Sequence, residues 1–233
     1  VLALEIFDDY ISWLRVNVPL AYDNLAPPAT ASELAALEEA VGYELPSTVK
    51  AVLGVHNGQK VSLTPSGGEH GVPCIPTLNL LSTGAIQERW EIWAETRRGP
   101  DIEELQKMGG VWPGAEGLIR PLYTSPGWIP LWSDPTRHDY IGIDLDPAPG
   151  GKTGQIINFG RDEERHFLCA PDFTSLLQIL LEEVRSGAWQ ASKLHDEEYE
   201  DDKIIEGGPW FGDPDEHFFN ALYARFEANE DNS

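Results

Sequence analysis

The stretch from Gly127 to Cys169, GWIPLWSDPTRHDYIGIDLDPAPGGKTGQIINFGRDEERHFLC, limits the possible folds more than any other part of the chain. Its apolar residues recur at period two, in short runs broken by turn-forming residues, which is the pattern of strands. Trp128 to Trp132 is the first strand. Tyr140 to Leu145 is the second, with Ile141, Ile143 and Leu145 on one face and Tyr140, Gly142 and Asp144 on the other. Gln155 to Phe159 and His166 to Cys169 supply the third and fourth. Between the middle two lies Asp146-Pro147-Ala148-Pro149-Gly150-Gly151, a turn by composition, since proline fixes φ and lacks a donor while glycine takes positive φ. The spacing predicts a meander.

Such a sheet needs helices to cover it, and the sequence codes them on both sides. Leu4, Phe7, Tyr10, Ile11 and Leu14 recur three and four apart, as on one face of a helix, and Pro19 is expected to end it. Ser32 is expected to cap a helix carrying Leu34, Leu37 and Val41, with Gly42 as its stop. Ser47 should cap another, with Val49, Val52, Leu53 and His56 on one stripe before Asn57-Gly58. Cys74 to Leu81 reads as a short edge strand. A helix from Ser82 or Thr83 places Ile86, Trp90 and Trp93 on one side, and Asp101 with Glu104 three residues on marks a brief helix ending at Gly109-Gly110. Val111 to Ser125, broken by glycine and proline, reads as irregular and the most mobile segment. After the meander, Pro171 in the first helical position, Asp172, and then Phe173, Leu176, Leu177, Leu180, Leu181 and Val184 form the cleanest helical pattern in the chain.

Charge narrows the class of partner. The 233 residues carry 16 basic and 39 acidic side chains, a net charge of −23. Phosphate backbones and anionic membranes are repelled by such a surface, so neither nucleic acid nor membrane is expected as a direct ligand. A basic protein is the natural partner, because a field of one sign speeds encounter with the opposite one. The plainer reading, that acidity serves solubility, stands beside it. No apolar run approaches the ~18 residues of a membrane span and no basic-then-apolar leader opens the chain. Cys74 and Cys169, the two cysteines, form neither a zinc pattern nor a disulfide framework. We therefore expect a cytoplasmic protein with reduced thiols and no cofactor or metal. The chain opens on Val1, so a segment can precede it.

Past Gly187 the composition shifts. From Ala188 to Ser233 there are 13 acidic and 3 basic residues. Asp196, Glu197, Glu198, Tyr199, Glu200, Asp201 and Asp202 form an acidic run around one tyrosine, a candidate partner contact that like charges keep extended. Asp213-Pro214-Asp215-Glu216 then reads as a helix start, with Phe219, Leu222, Tyr223 and Phe226 at helical spacing over about 213–228. That aromatic stripe must be buried, either back on the main domain or on another chain.

Three groups invite a chemical reading. His56 on an apolar stripe suggests a general base, yet a lone histidine there is more often a packed residue, and no serine or cysteine in a nucleophile motif accompanies it. Asp144 and Asp146, two apart on a strand, put carboxylates on one face, but DLDPAPGGKTGQ lacks the ligand offsets of a calcium loop, and neighbours on one strand do not face each other across a sugar. Turn formation and charge pairing, with Lys152 close by, is the favoured role for them. Trp90 and Trp93 read as core stripe or as partly open anchors for a partner, since tryptophan is enriched where binding energy concentrates.

GWIPL, followed by IGIDLDPAPGGKTGQIINFGRD and an acid-capped amphipathic helix, and preceded by ATASELAALEEAVGYELPSTVKAVLGVHNGQ, resembles the SUKH superfamily of fungal cell-wall assembly regulators (Smi/Knr-type) and their bacterial relatives. The order of motifs agrees from about Asp23 to Gly187. The resemblance implies a non-enzymatic binding protein: immunity proteins that neutralise toxin domains in bacteria, scaffolds for wall-synthesis signalling in fungi. It also implies that His56-Asn57-Gly58-Gln59 is a structural turn.

The combined expectation is an α+β fold, a mostly antiparallel twisted sheet flanked by N-terminal helices and a C-terminal amphipathic helix. A SUKH-like domain over 1–187 would carry an acidic extension over 188–233. The expected function is stoichiometric capture of a basic toxin domain, with a wall-synthesis scaffold as the alternative. A small hydrolase or deaminase using His56, Asp144 and Asp146 is the second alternative. No residue is assigned a catalytic role. The partner contacts are placed at Trp90, Trp93, Asp144, Asp146, Asp196, Glu197, Glu198 and Tyr199.

Overall fold

The alternating run of the sequence becomes the centre of a sheet. The computed structural model describes residues 2–61, 71–193, 209–213 and 216–230. Helices α1 (Leu2–Asn17), α2 (Pro19–Asp23), α3 (Ala31–Val41) and α4 (Ser47–Leu53) come first, followed by strand β1 (Asn79–Leu80), helices α5 (Thr83–Arg98) and α6 (Ile102–Gln106), and strand β2 (Gly110–Val111). The meander is β3 (Trp128–Ser133), β4 (Asp139–Asp144), β5 (Gln155–Gly160), β6 (Arg165–His166) and β7 (Leu168–Ala170). Helix α7 (Phe173–Arg185), the hairpin strands β8 (Ala191–Lys193) and β9 (Pro209–Phe211), and helix α8 (Phe218–Glu230) close the described chain.

The main sheet has the order β1-β3-β4-β5-β7 and is antiparallel throughout, so the fold is α+β, with helices on the sheet and one at its C-terminal end. Register runs Trp128 to Asp144, Ile129 to Ile143, Tyr140 to Phe159 and Asp144 to Gln155. A bulge between Pro130 and Trp132 falls where proline has no N–H to donate to the ladder. Every residue of β3 and β5 is buried. The two faces predicted for Tyr140 to Asp144 are thus both covered: α7 packs on β5 and β7, and α5 on β3. Gly142 sits where a Cβ would lie 2.2 Å from the Ile129 carbonyl oxygen and 2.8 Å from the Phe159 ring, so only glycine fits between those strands.

The helix predicted from the leucine stripe is α7, with Phe173, Leu176, Leu177, Leu180, Leu181 and Val184 all buried. Its cap is Asp172, whose Oδ1 accepts from the Ser175 N–H at 2.9 Å, so Pro171 precedes the helix and does not open it. Other starts are corrected in the same sense. Thr30, not Ser32, caps α3: its hydroxyl accepts from the Glu33 N–H at 3.2 Å and Glu33 Oε2 accepts from the Thr30 N–H at 2.7 Å, a closed capping box. Ser47 is the first residue of α4, which follows Pro46 without a side-chain cap, and Asp101 makes no side-chain cap on α6. Pro19 ends α1 but also opens α2, its missing donor costing nothing in a first turn.

Val111 to Ser125 is pinned, contrary to its expected mobility. Gly110-Val111 pairs in parallel with Arg165-His166, and His166 Nε2 lies 2.7 Å from the Leu122 carbonyl oxygen. Gln106 Oε1 accepts from the Tyr123 N–H at 2.7 Å and its Nε2 donates to the Thr124 carbonyl at 2.8 Å. Helix α8 begins at Phe218, later than expected; before it, the Asp213 carbonyl accepts from the Glu216 N–H at 3.1 Å. Phe218, Phe219, Leu222 and Phe226 are buried, and α8 lies on β7, with Phe167 and Phe226 rings 5.7 Å apart. The aromatic stripe is covered by this chain's own sheet.

His56-Asn57-Gly58-Gln59 ties the first helices to the sheet edge. Asn57 Oδ1 accepts from the Thr83 N–H at 2.7 Å. Gly58 takes φ +68, and a Cβ there would lie 2.3 Å from the Ser82 nitrogen. Gln59 uses both ends of its amide: Oε1 accepts from Cys74 N–H at 3.0 Å and Leu80 N–H at 2.8 Å, and Nε2 donates to Val61 carbonyl and Asn79 Oδ1, each at 2.9 Å. Replacing Gln59 with leucine keeps the volume and leaves the buried Cys74 and Leu80 donors unpaired. Each such group costs ~1–3 kcal/mol, so urea unfolding of Gln59→Leu should show a loss of about 2–4 kcal/mol. Asp172→Ala, which removes one cap, should lose only about 1 kcal/mol in the same assay.

Candidate partner-binding site

Asp144 ends β4 and is fully buried. Its carboxylate is already used: Oδ2 accepts from Gln155 Nε2 at 2.9 Å and Oδ1 from the Asp146 N–H at 3.0 Å. Gln155 Nε2 also donates to the Leu118 carbonyl at 2.9 Å, and its Oε1 accepts from the Lys152 N–H at 3.0 Å, so the pair braces the whole 144–155 turn. Burial pushes the Asp144 carboxyl up to about 6, against the hydrogen bonds that favour its charged form. It is a turn brace and not an open surface acid.

Asp146 lies beyond the end of β4, in the turn, so the two carboxylates do not share a strand face. Its partner is Arg120, whose Nη2 donates to Asp146 Oδ1 at 2.8 Å and whose Nε donates to the Asp146 carbonyl at 2.9 Å. Lys152, the pairing partner expected from sequence, is 3.6 Å from Asp172 instead. His56 lies past the end of α4, not on its stripe. His56 Nδ1 is 2.8 Å from the Ala26 carbonyl oxygen, and its ring meets Phe7 edge-on with centroids 6.3 Å apart. The hydrogen bonds of His56 and of Asp144 go to different partners, and among the described residues no three His, Cys, Asp or Glu side chains gather as a metal site. The three groups considered for chemistry therefore do not converge.

What converges is a mixed aromatic and charged surface on α5. Trp90 and Trp93 are both half-buried. Trp90 Nε1 donates to the Pro126 carbonyl at 2.8 Å, the Arg97 guanidinium lies over its ring at 5.0 Å, and Trp93 meets Tyr123 edge-on at 5.5 Å. Pro126 leads into Gly127, where a Cβ would lie 2.6 Å from the Asp146 Cβ, so Trp90 and Asp146 flank one short piece of backbone. Tyr43, at the end of α3, senses the charges of Asp146, Arg97 and Arg120; burial first, then Asp146, raises its phenol. Arg97 Nη1 donates to Thr124 Oγ1 at 3.0 Å, while its buried Nη2 has no acceptor among the described residues, and burial pushes the guanidinium down to about 10. Sequence reasoning missed Tyr43, Arg97 and Arg120 because they come together only in three dimensions; the i, i+7 spacing of Trp90 and Arg97 was the one available signal. Asp196, Glu197, Glu198 and Tyr199 lie outside the described residues.

A second acidic group lies around the β4–β5 end. Burial raises Glu163 to about 7 and Asp139 to about 6, with Asp162 and Asp134 adding repulsion. Glu163 accepts from Asn158 Nδ2, and Asp139 Oδ1 from the Asp162 N–H at 2.9 Å. Glu163, Asp139 and Asp144 are each harder to ionise folded than unfolded, so their effect favours the fold at low pH and is lost as pH rises through about 6 to 7. The unfolding temperature should therefore be higher at about pH 5 than at about pH 8. Glu163→Gln should flatten that slope, as measured by thermal unfolding across the range.

Comparison with known proteins identifies the family of this fold. The model of the SMI1 / KNR4 family (SUKH-1) matches residues 28–179. The chain is similar to the "Cell wall biosynthesis/cell cycle regulator smi1" of Schizosaccharomyces pombe, 31% identical over 84% of this chain and 38% of that protein. It is similar to the "Glucan synthesis regulatory protein" of Neurospora crassa, 28% identical over 76% of this chain and 37% of that one. It is also similar to the "Cell wall assembly regulator SMI1" of Saccharomyces cerevisiae, 24% identical over 91% of this chain and 46% of that one. The chain thus spans less than half the length of these relatives, and no helix among its described residues is long and apolar enough to cross a membrane. With the family's model covering α3 to α6, strands β1 to β7 and the first half of α7, the chain belongs to the SMI1 / KNR4 family (SUKH-1).

Proposed function

We propose that this chain is a protein-binding module of a regulator of cell-wall synthesis, acting by docking and not by catalysis. The observation that carries this reading is that relatives named for wall assembly and glucan synthesis align with 76–91% of the chain. The sequence placed toxin neutralisation first; those names favour its alternative, a scaffold in wall-synthesis signalling. The use of His56 and Asp144 as packing and turn groups supports the non-catalytic part. The docking surface is centred on Trp90, Trp93, Arg97 and Asp146, where half-open indoles stand beside the Arg97 guanidinium and the Arg120–Asp146 pair. A basic partner suits the net charge of −23, which steers encounter.

The test is a chimera in which this chain replaces the aligned segment of the S. pombe relative, in cells lacking the native protein. Resistance to a wall-binding dye should return. His56→Gln should restore it equally, because no proton transfer is asked of the imidazole. Trp93→Ala with Asp146→Lys should fail to restore it while the protein stays folded by circular dichroism. A chimera that is folded and abundant yet gives no resistance overturns the reading, and so does loss of rescue in His56→Gln with its fold intact.

A further inference from the structure

Ser133 is an unexpected residue for its place. It ends β3, paired with Asn79 of β1 on one side and Tyr140 of β4 on the other, and it is wholly buried. Its hydroxyl has no hydrogen-bond partner among the described residues. A buried hydroxyl left unpaired is costly, and in a core strand an apolar residue of similar size would avoid the cost. Ser133 is one of the residues lining a cavity of about 60 Å³, together with Leu81, Ala85, Glu88, Arg89 and Arg137.

Two of those walls are guanidinium groups in a chain whose acids outnumber its bases by more than two to one. Arg89, on α5, is 11% exposed and contacts Glu88 at 2.7 Å, but Glu88 is 61% exposed and is the one carboxylate of the lining. Arg137 has no ion pair among the described residues. Its position is imposed by the β3–β4 turn. Asp134 spends its carboxylate on the N–H groups of Thr136, His138 and Asp139, at 2.9–3.0 Å, and on the Thr136 hydroxyl. The turn so closed holds Arg137 at φ 64, a conformation that a non-glycine residue adopts only under constraint. Asp134 itself has no hydrogen-bonding capacity left for Arg137, although its charge remains.

We infer that this cavity, between the first half of α5 and the β3–β4 turn, receives one phosphoryl group, held by Arg89, Arg137 and the Ser133 hydroxyl. A volume of 60 Å³ is four to five times the ~12–15 Å³ that one water needs on the same measure, which matches the five heavy atoms of a phosphate and exceeds the three of a carboxylate. Three different elements, α5, β3 and the β3–β4 turn, each bring a residue with hydrogen-bond donors to the lining, and a small rotation of the Ser133 hydroxyl about χ1 would complete a set suited to a tetrahedral oxyanion. The net charge of −23 selects the carrier: nucleic acid and anionic membrane are repelled as a whole, whereas a basic segment bearing a single phosphorylated serine or threonine is attracted by its flanks and seated by its phosphate. The choice of a protein carrier rests on the protein-binding reading above; the pocket does not.

Calorimetric titration with inorganic phosphate, against chloride at constant ionic strength, tests the pocket alone. Saturable binding is expected, weakened about tenfold by Ser133→Ala and at least as much by Arg137→Gly. Neither change should unfold the protein: the first removes an unpaired buried hydroxyl, and the second puts at φ 64 the residue that adopts it most readily. Phosphate that binds no better than chloride, or binds both folded variants as well as the parent, overturns the proposal. A second arm uses an arginine-flanked phosphoserine peptide and its unphosphorylated twin. Tighter binding of the first, lost in Arg137→Gly, supports a phosphorylated partner. Equal binding of the two, with inorganic phosphate still bound, overturns the protein carrier and leaves free phosphate as the ligand.

Discussion

Water reaches neither face of the central sheet, and most of the remaining structure follows from that. Tyr140, Gly142 and Asp144 alternate with Ile141 and Ile143 along β4 as a half-exposed strand would, yet all five are buried. A strand covered on both faces must satisfy its polar side chains inside the protein, because an unpaired one costs about as much as the burial of a small apolar group returns. The molecule meets this with amides. Asn158 Oδ1 accepts from the Phe167 N–H at 2.7 Å, Gln155 joins Asp144 to Leu118, and Gln59 serves two donors and two acceptors at the sheet edge. These three side chains hold turns and edges to the sheet where no regular ladder could. Their geometry also explains why the 118–127 segment, with almost no secondary structure of its own, is fixed in place.

The elements defined by local periodicity were legible in the sequence, and those defined by contact between distant segments were not. The leucines of α7 and the isoleucines of β4 and β5 declare helix and strand by spacing alone, since the wrong element would send half of them to the surface. Strands β2 and β6 have two residues each and pair in parallel across more than fifty positions, so nothing within either announces the other. Helix starts were misplaced by one or two residues, or by five at α8, wherever several capping residues compete. Thr30 prevails over Ser32 because only Thr30 has a glutamate three positions on to close the box.

The candidate site shows the same division. Trp90 and Trp93 are evident as a pair on one helix face. Whether they are core or surface depends on Pro126 and Tyr123, which arrive from another part of the chain and leave each indole half open. Asp144 and Asp146 were conspicuous by their spacing, and their fates diverge at the end of β4: the first turns inward to Gln155, the second outward to Arg120. A spacing of two reports a shared face only while the strand continues, and here it stops between them.

The distribution of arginine gives the acidity a second meaning. In a chain of 39 acids and 16 bases, most guanidinium groups should find a carboxylate, and Arg120, Arg161, Arg185 and Arg225 do. Arg97 and Arg137 do not among the described residues, although carboxylates are abundant at the surface. An exposed pair gains little and forms or breaks freely, whereas a half-buried guanidinium without a partner keeps a desolvation cost that some acceptor must offset. Arg97 lies over Trp90 with its buried Nη2 unpaired, and Arg137 is fixed by a strained turn at a cavity that Ser133 also lines. Under the phosphate proposal, the broad negative field would select which molecules approach, and Arg137 with Arg89 would set where an anionic group on one of them comes to rest.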